Sequence, residues 1–141
     1  MAPAKILVIE DSEADLHLLR IALDQQEQDY ELETLRDGEE AMRFVHEHRT
    51  GLGAHDPCVI VLDVQLPRYD GMAVLRAIHQ APALEHIRVL VLSGLVNPKQ
   101  QAELASLGVC YRRKPSTLDE LSDLAAEIFA ICKASSAAIF L

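Results

Sequence analysis

Residues 58–71 read CVIVLDVQLPRYDG, and this stretch decides the fold. Its first five residues are apolar strand formers, which is typical of a strand buried on both faces. The run stops at Asp63, and a buried strand tolerates such a charge only where it meets water, a cation or a reaction. Turn residues and then a helical pattern over 72–78 follow. The stretch therefore predicts a parallel strand with Asp63 at its carboxyl end, where ligands bind in open sheets; a surface aspartate that begins a turn is the alternative.

Strand and helix patterns alternate along the whole chain. Besides the central strand, apolar or alternating runs predict strands over 6–9, 30–36, 87–92 and 109–113. One helical pattern begins after Ser12, and four others cover residues 39–47, 72–78, 98–107 and 118 to about 133. This order predicts one α/β domain over 1–133, a flavodoxin-like, doubly wound, five-stranded parallel sheet, followed by a tail over 134–141. We expect no output domain after that tail, whose apolar end needs cover from the domain or from a partner.

Charge and hydropathy narrow the classes of partner. The 141 residues carry a formal net charge of -9, which argues against a nucleic-acid-binding surface. No apolar run approaches the roughly 18 residues of a membrane span, and the first residues lack a signal-peptide pattern. We therefore expect a cytoplasmic protein that binds neither nucleic acid nor membrane.

The three cysteines show no metal-binding or CxxC spacing. Cys58 and Cys110 lie in apolar strand runs, and we expect reduced thiols in the core there.

Polar residues end four of the predicted strands, and a parallel sheet brings such ends to one edge. They are Glu10, Asp11, Asp63, Ser93 and Lys114. With strand order 2-1-3-4-5, three carboxylates share one cleft, where mutual repulsion favours protonation or a bound cation. Mg²⁺ suits such oxygen ligands, and a hydroxyl and an ammonium suit phosphoryl oxygens. Each residue alone could be a capping or turn residue, but together they predict phosphoryl transfer onto a carboxylate.

Nearly the whole chain resembles the receiver domain of two-component response regulators. The motifs that carry the resemblance are Glu10-Asp11, Asp63 with Leu66-Pro67 and Asp70-Gly71 after it, Ser93-Gly94, and Lys114-Pro115. Ser93 lies 30 residues after Asp63 in the sequence.

The resemblance implies a role for each matching acid. Asp63 matches the residue that accepts phosphate from a histidine kinase. Glu10 and Asp11 match the acids that hold Mg²⁺, together with Asp63 and the backbone carbonyl of Gln65.

It also implies a conformational switch. Ser93 matches the hydroxyl that moves toward the phosphoryl group, Lys114 the lysine that pairs with it, and Tyr111 the aromatic residue that turns inward. A cis bond before Pro115 is implied as well.

Within the family, the acids at 10–15 and the long loop at 49–57 resemble stand-alone regulators that work with bacterial phytochrome kinases. That resemblance implies a phytochrome-linked histidine kinase as partner and a homodimer contact through the tail.

Three other classes compete with a phosphoacceptor. A flavodoxin needs a phosphate-cradling loop after its first strand, whereas this chain has the acidic Glu10-Asp11 there. An aspartate-nucleophile phosphatase needs a second acid at the position of Gln65. A receiver-like interaction module that acts without phosphorylation remains the alternative.

Overall fold

The computed structural model describes residues 3–47, 56–66 and 68–139. Outside these ranges lie most of the predicted loop at 49–57, the single residue Pro67, and the last two residues of the tail. The five strands form one parallel sheet in the order β2-β1-β3-β4-β5, which confirms the predicted fold class. The strands are β1 (Ala4–Ile9), β2 (Tyr30–Leu35), β3 (Val59–Asp63), β4 (Arg88–Ser93) and β5 (Cys110–Arg113). The helices are α1 (Glu13–Gln25), α2 (Gly38–Glu47), α3 (Gly71–His79), α4 (Pro98–Leu107) and α5 (Leu118–Ile139), with a 3-10 turn at Pro82–Leu84.

Helices cover the sheet on both faces because successive strand residues point to opposite sides. In β3, Ile60 and Leu62 pack toward α2, α3 and α4, while Val59 and Val61 pack toward α1 and α5. All five residues of β3 are buried, as its continuous apolar run predicts. Asp63 is therefore the carboxyl end of the innermost strand.

Capping residues set the helix starts next to the carboxyl edge. The Ser12 side chain accepts a hydrogen bond from the Asp15 N–H at the start of α1, and the Asp70 side chain accepts one from the Met72 N–H at the start of α3. Asn97 and Gln100 form a capping box at the start of α4, and Gly108, with φ of 66°, is the C-cap after its last residue. These caps fix the loops that surround Asp63.

The end of α5 differs from the expectation. The helix continues to Ile139 and does not stop near Lys133. Residues 134–138 are alanines and serines without glycine or proline, and alanine is the strongest helix former.

The cysteines also differ from the expectation of reduced core thiols. Cys58, just before β3, forms a disulfide with Cys132 of α5, and their Cα atoms are 5.1 Å apart. Because α5 runs antiparallel to the strands, its last turns return to the amino edge of the sheet where β3 begins. Cys110 is free, but it is exposed because β5 is an edge strand. A separation of 74 residues gave no spacing signal for this pair.

Gly71 is required by close packing beneath the β3–α3 loop. A Cβ atom built at Gly71 would collide with the backbone of Val64 and lie 2.5 Å from its carbonyl carbon, whereas one built at Gly94 meets nothing within 4 Å. We predict that Gly71→Ala lowers the free energy of unfolding by about 3 kcal/mol, since backbone must shift to admit the methyl group. Gly94→Ala is the matched control and should change it by less than about 0.5 kcal/mol in the same urea titration. Equal stability of the two variants would contradict this packing.

Candidate functional site

The candidate site lies at the carboxyl edge of the sheet, where β1 and β3 are neighbours. Glu10 directly follows β1, and Asp63 is the last residue of β3. One carboxylate oxygen from each of Glu10, Asp11 and Asp63 lies within 4.8 Å of the others. Glu10 and Asp63 are 6% and 3% exposed, and Asp11 is open to solvent. The structure thus brings together the three acids that the strand ends predict.

Lys114 bridges the acids from the loop after β5. Its Nζ lies 3.0 Å from Glu10 Oε2, 3.0 Å from Asp63 Oδ2 and 2.9 Å from Asp15 Oδ2. Its backbone N–H donates to the Ser93 carbonyl at 3.1 Å, which ties the lysine loop to the end of β4. One ammonium therefore compensates carboxylates from two strands and a helix.

Asp15 is the site residue that the sequence reasoning missed. It lies in the first turn of α1, which begins at this edge of the sheet, and its carboxylate reaches the Lys114 ammonium. The signal in the sequence was an acid in the first turn of the helix that follows the first strand, which does not by itself indicate the contact with Lys114.

Opposing effects set the charge of the bridging lysine. Burial alone would lower the pKa of Lys114, but its hydrogen bonds to Asp15, Asp63 and Glu10 raise that pKa above its usual value. Lys114 therefore stays an ammonium at neutral pH.

The pKa of Glu10 is unusually high for a carboxylate. The pKa of Glu10 is raised from 4.5 to about 7, chiefly by burial and in part by the neighbouring Asp63 charge, while the Ser12 N–H and Lys114 oppose the increase. The Ser12 N–H donates to Glu10 Oε1 at 3.0 Å. A cation near Glu10 would favour its charged form.

The β3–α3 and β4–α4 loops meet over the site. The backbone N–H of Gln65 donates to Asp63 Oδ1 at 2.8 Å, and its side-chain Nε2 donates to the Leu95 carbonyl at 3.0 Å. Ser93 is fully buried, and its hydroxyl donates to the same Leu95 carbonyl at 3.1 Å. Ser93 is thus at the predicted edge, with its hydroxyl bonded within its own loop. The role of the Gln65 carbonyl as a metal ligand stays a prediction.

Tyr111 and Pro115 lie on the β5 side of the site. Tyr111 pairs with Val91 in the sheet register, is half-buried and packs against the core between the sheet and α2, α3 and α4. The bond between Lys114 and Pro115 is trans, so the expected cis bond is wrong for this structure. In this arrangement Lys114 Nζ contacts the carboxylates of Glu10, Asp15 and Asp63.

The carboxylate set fits a hard divalent cation. The carboxylates of Glu10, Asp15 and Asp63 contact a single ammonium, and that of Asp11 lies beside Glu10 and Asp63, so negative charge is in excess at this edge. Carboxylate oxygens are ligands that Mg²⁺ and Mn²⁺ accept. The acidic edge can therefore bind a divalent metal.

A cavity of about 210 Å³ lies beside the acids between α1 and α5. Its walls are mainly apolar, with Leu16, Leu19 and Leu124 among them, and Asp63 and Lys114 also line it.

Among the residues that the structure describes, no helix is long and apolar enough to cross a membrane.

Comparisons with known proteins agree with this geometry. The family model for the response regulator receiver domain matches residues 6–126. The response regulator Rcp1 from Synechocystis sp. is 38% identical over 120 residues, which cover 84% of this chain and 82% of Rcp1.

Two solved structures support the same relationship. The phosphorylated cyanobacterial phytochrome response regulator RcpA is 36% identical with a TM-score of 0.77, and the match covers 90% of this chain and 91% of RcpA. The Mn²⁺-bound form of Rcp1 is 37% identical with a TM-score of 0.76, covering 89% and 91% of the two chains. The chain therefore belongs to the response regulator receiver family and is closely related to Rcp1 and RcpA.

Proposed function

We propose that this receiver accepts a phosphoryl group from a phosphohistidine of a histidine kinase onto the carboxylate of Asp63. The observation that carries the proposal is the position of Asp63, buried at the end of the central strand and 3.0 Å from the Lys114 ammonium. In the transfer, the bond between phosphorus and the imidazole nitrogen breaks, and a bond between phosphorus and an Asp63 oxygen forms. Lys114 offsets negative charge on the transferring group, and the bond that the Gln65 N–H makes to Oδ1 orients the carboxylate.

The divalent cation of the site is proposed to be Mg²⁺, held by Glu10, Asp11, Asp63 and the backbone carbonyl of Gln65. The clustered carboxylates and the Mn²⁺-bound form of the relative Rcp1 support this set of ligands. When bound, Mg²⁺ supplies positive charge to the phosphoryl oxygens.

Asp11 is the accessible member of the acidic cluster and tests the metal site. We predict that Asp11→Asn weakens Mg²⁺ or Mn²⁺ binding by about 10-fold or more, because it removes one anionic oxygen from a site that depends on charge. Isothermal titration with MnCl₂ measures the change. Asp29→Asn, on an exposed loop before β2, is the control and should leave the affinity unchanged. Equal affinities would remove Asp11 from the ligand set.

The switch is proposed to use Ser93 and Tyr111. A phosphoryl group on Asp63 draws the Ser93 hydroxyl away from the Leu95 carbonyl, because a charged phosphoryl oxygen is the stronger acceptor. The space that Ser93 leaves admits the half-buried Tyr111 ring. The resulting surface change over α4, β5 and α5 signals through protein–protein contacts.

Phosphate uptake from a small donor tests the proposal. The protein is incubated with acetyl phosphate, with and without Mg²⁺, and intact mass is measured. We expect a gain of one phosphate that requires Mg²⁺ and is lost at alkaline pH, as an acyl phosphate should be. No gain with any donor would favour an interaction module that acts without phosphorylation.

Apolar side chains beside the site suit the docking of a kinase. Leu18 and Ile21 on α1 and Leu118 on α5 are 44%, 42% and 79% exposed. Leu18 and Leu118 also line the cavity next to Asp63, so a helix that carries the phosphohistidine can bury them as the reacting groups meet. We propose a phytochrome-linked kinase as this partner, supported by the relationship to the phytochrome response regulator RcpA.

The C-terminal tail is proposed to contribute to a homodimer. The helix α5 continues to Ile139, and the sequence ends in apolar residues. We predict that deletion of residues 137–141 converts a dimer into a monomer in multi-angle light scattering. Leu95→Ser removes an exposed leucine elsewhere and should leave the mass unchanged. A truncated protein with the mass of the full chain would exclude the tail contact.

The remaining assignments follow from the same role. We propose a cytoplasmic signalling protein without an enzymatic activity beyond its own phosphotransfer and slow dephosphorylation. An acidic surface with a net charge of -9 supports the absence of a nucleic-acid partner.

A further inference from the structure

The disulfide lies at the opposite end of the sheet from the phosphoacceptor. Cys58 precedes β3, while Asp63 is the last residue of that strand, so about 17 Å of extended chain separates the two. Cys132, on α5, reaches the amino edge and closes a loop with a sequence separation of 74 residues. The phosphotransfer chemistry does not use this bond.

The surroundings of the two sulfur atoms accommodate both the disulfide and the thiols. Cys58 Sγ lies 3.2 Å from the Lys5 carbonyl oxygen, which can accept a hydrogen bond from a Cys58 thiol. Cys132 is 5% exposed within an apolar cluster of α1, α5 and the sheet, where a thiol packs as a small apolar group. Opening the bond therefore leaves neither sulfur as an unsatisfied polar group.

The position of Cys132 on α5 gives the bond a mechanical consequence. Phe129 and Cys132 are buried against the sheet, and Lys133 and Ala134 are exposed. Cys132 thus lies in the C-terminal part of α5, and the helix continues to Ile139. The disulfide therefore links the C-terminal part of α5 to the start of β3.

We propose that the Cys58–Cys132 disulfide is a redox-responsive cross-link that controls the stability of the last turns of α5. Cys58 is half-buried whereas Cys132 is buried, so we expect an external dithiol to attack at Cys58. A thiolate of the dithiol attacks Cys58 Sγ, the bond to Cys132 Sγ breaks, and Cys132 takes a proton. The second thiol of the reductant then displaces Cys58, which also takes a proton. Two electrons and two protons pass to the protein, and the oxidised dithiol is released. Oxidised glutathione can re-form the Cys58–Cys132 bond by the reverse exchange.

The location expected for the protein favours a reversible bond. Disulfides of cytosolic proteins are usually transient and redox-sensing, because thiol reductants are abundant there. The bond also closes a long loop, so opening it releases considerable chain entropy in the unfolded state. We expect reduction to lower the melting temperature on the order of 10 °C and to speed hydrogen exchange over residues 130–139.

The test compares oxidised and reduced protein in a Cys110→Ser background, which removes the exposed thiol and any exchange between molecules. After equilibration with oxidised glutathione, maleimide labelling under denaturing conditions should find no free thiols, and after treatment with dithiothreitol it should find two. Hydrogen exchange of α5 should increase on reduction, while phosphate uptake from acetyl phosphate stays unchanged. The double variant Cys58→Ser, Cys132→Ser is the reference and should not respond to dithiothreitol.

Two results would overturn the proposal: two free thiols after equilibration with oxidised glutathione, or identical melting and α5 exchange in the two redox states. Reduction of the unmutated chain gives the same comparison if a serine variant fails to fold.

Discussion

Asparagine in place of Asp63 should abolish phosphate incorporation while preserving the fold. The amide nitrogen is not a nucleophile under these conditions, so we expect the rate of uptake from acetyl phosphate to fall by at least about 1,000-fold. The asparagine side-chain oxygen can still accept the Gln65 N–H that Asp63 Oδ1 now accepts at 2.8 Å. The loss of one of several clustered negative charges also limits the cost to stability.

The measurement is intact mass over time with acetyl phosphate and Mg²⁺, paired with thermal unfolding of both proteins. Asp123→Asn, an exposed substitution on α5, should incorporate phosphate like the wild type. A folded Asp63→Asn variant that still gains one phosphate in a Mg²⁺-dependent manner would exclude Asp63 as the acceptor.

Replacing Lys114 by methionine should produce the second large effect, on stability as well as on chemistry. Glu10 and Asp63 are buried, and both lose their cation when the ammonium is removed. Breaking a buried ion pair on one side costs about 3–5 kcal/mol, and the 26% exposure of the lysine side chain reduces the expected loss to about 2 kcal/mol in metal-free buffer. Because a divalent cation also compensates the acids, Mg²⁺ should restore part of this loss.

Urea unfolding in EDTA and in MgCl₂ measures the effect, and phosphate uptake should slow by about 100-fold because charge on the transferring group is less well offset. Lys133→Met, an exposed lysine of α5, is the control and should change stability by less than about 0.5 kcal/mol. If Lys114→Met unfolds like the wild type in EDTA, the ammonium does not compensate the acids as the structure indicates.

The sheet and the meeting of its acids were predictable from the sequence. A parallel sheet aligns the carboxyl ends of its strands, so Glu10 and Asp63 could be placed together from the ends of two apolar runs. The same reasoning placed Ser93 and Lys114 at that edge, where the Lys114 N–H meets the Ser93 carbonyl. Local sequence patterns and sheet topology are therefore sufficient to predict where residues at the ends of the strands lie.

Contacts that depend on helix orientation were not predictable in the same way. The disulfide joins cysteines 74 residues apart, and their meeting depends on how far α5 runs along the sheet. The contact of Asp15 with Lys114 likewise depends on how α1 is placed against the loop after β5. The exposure of Cys110 follows from the place of β5 at the sheet edge, which an apolar run alone does not reveal.

The most direct test of the central claim is the chemical location of the phosphoryl group. Borohydride reduces an acyl phosphate to an alcohol, so a phosphorylated aspartate becomes homoserine, which peptide mapping identifies by mass. After incubation with acetyl phosphate and Mg²⁺, we expect homoserine at position 63 and at no other acid of the site. Homoserine at Asp11 or Asp15, or none at position 63 in a protein that has gained phosphate, would contradict it.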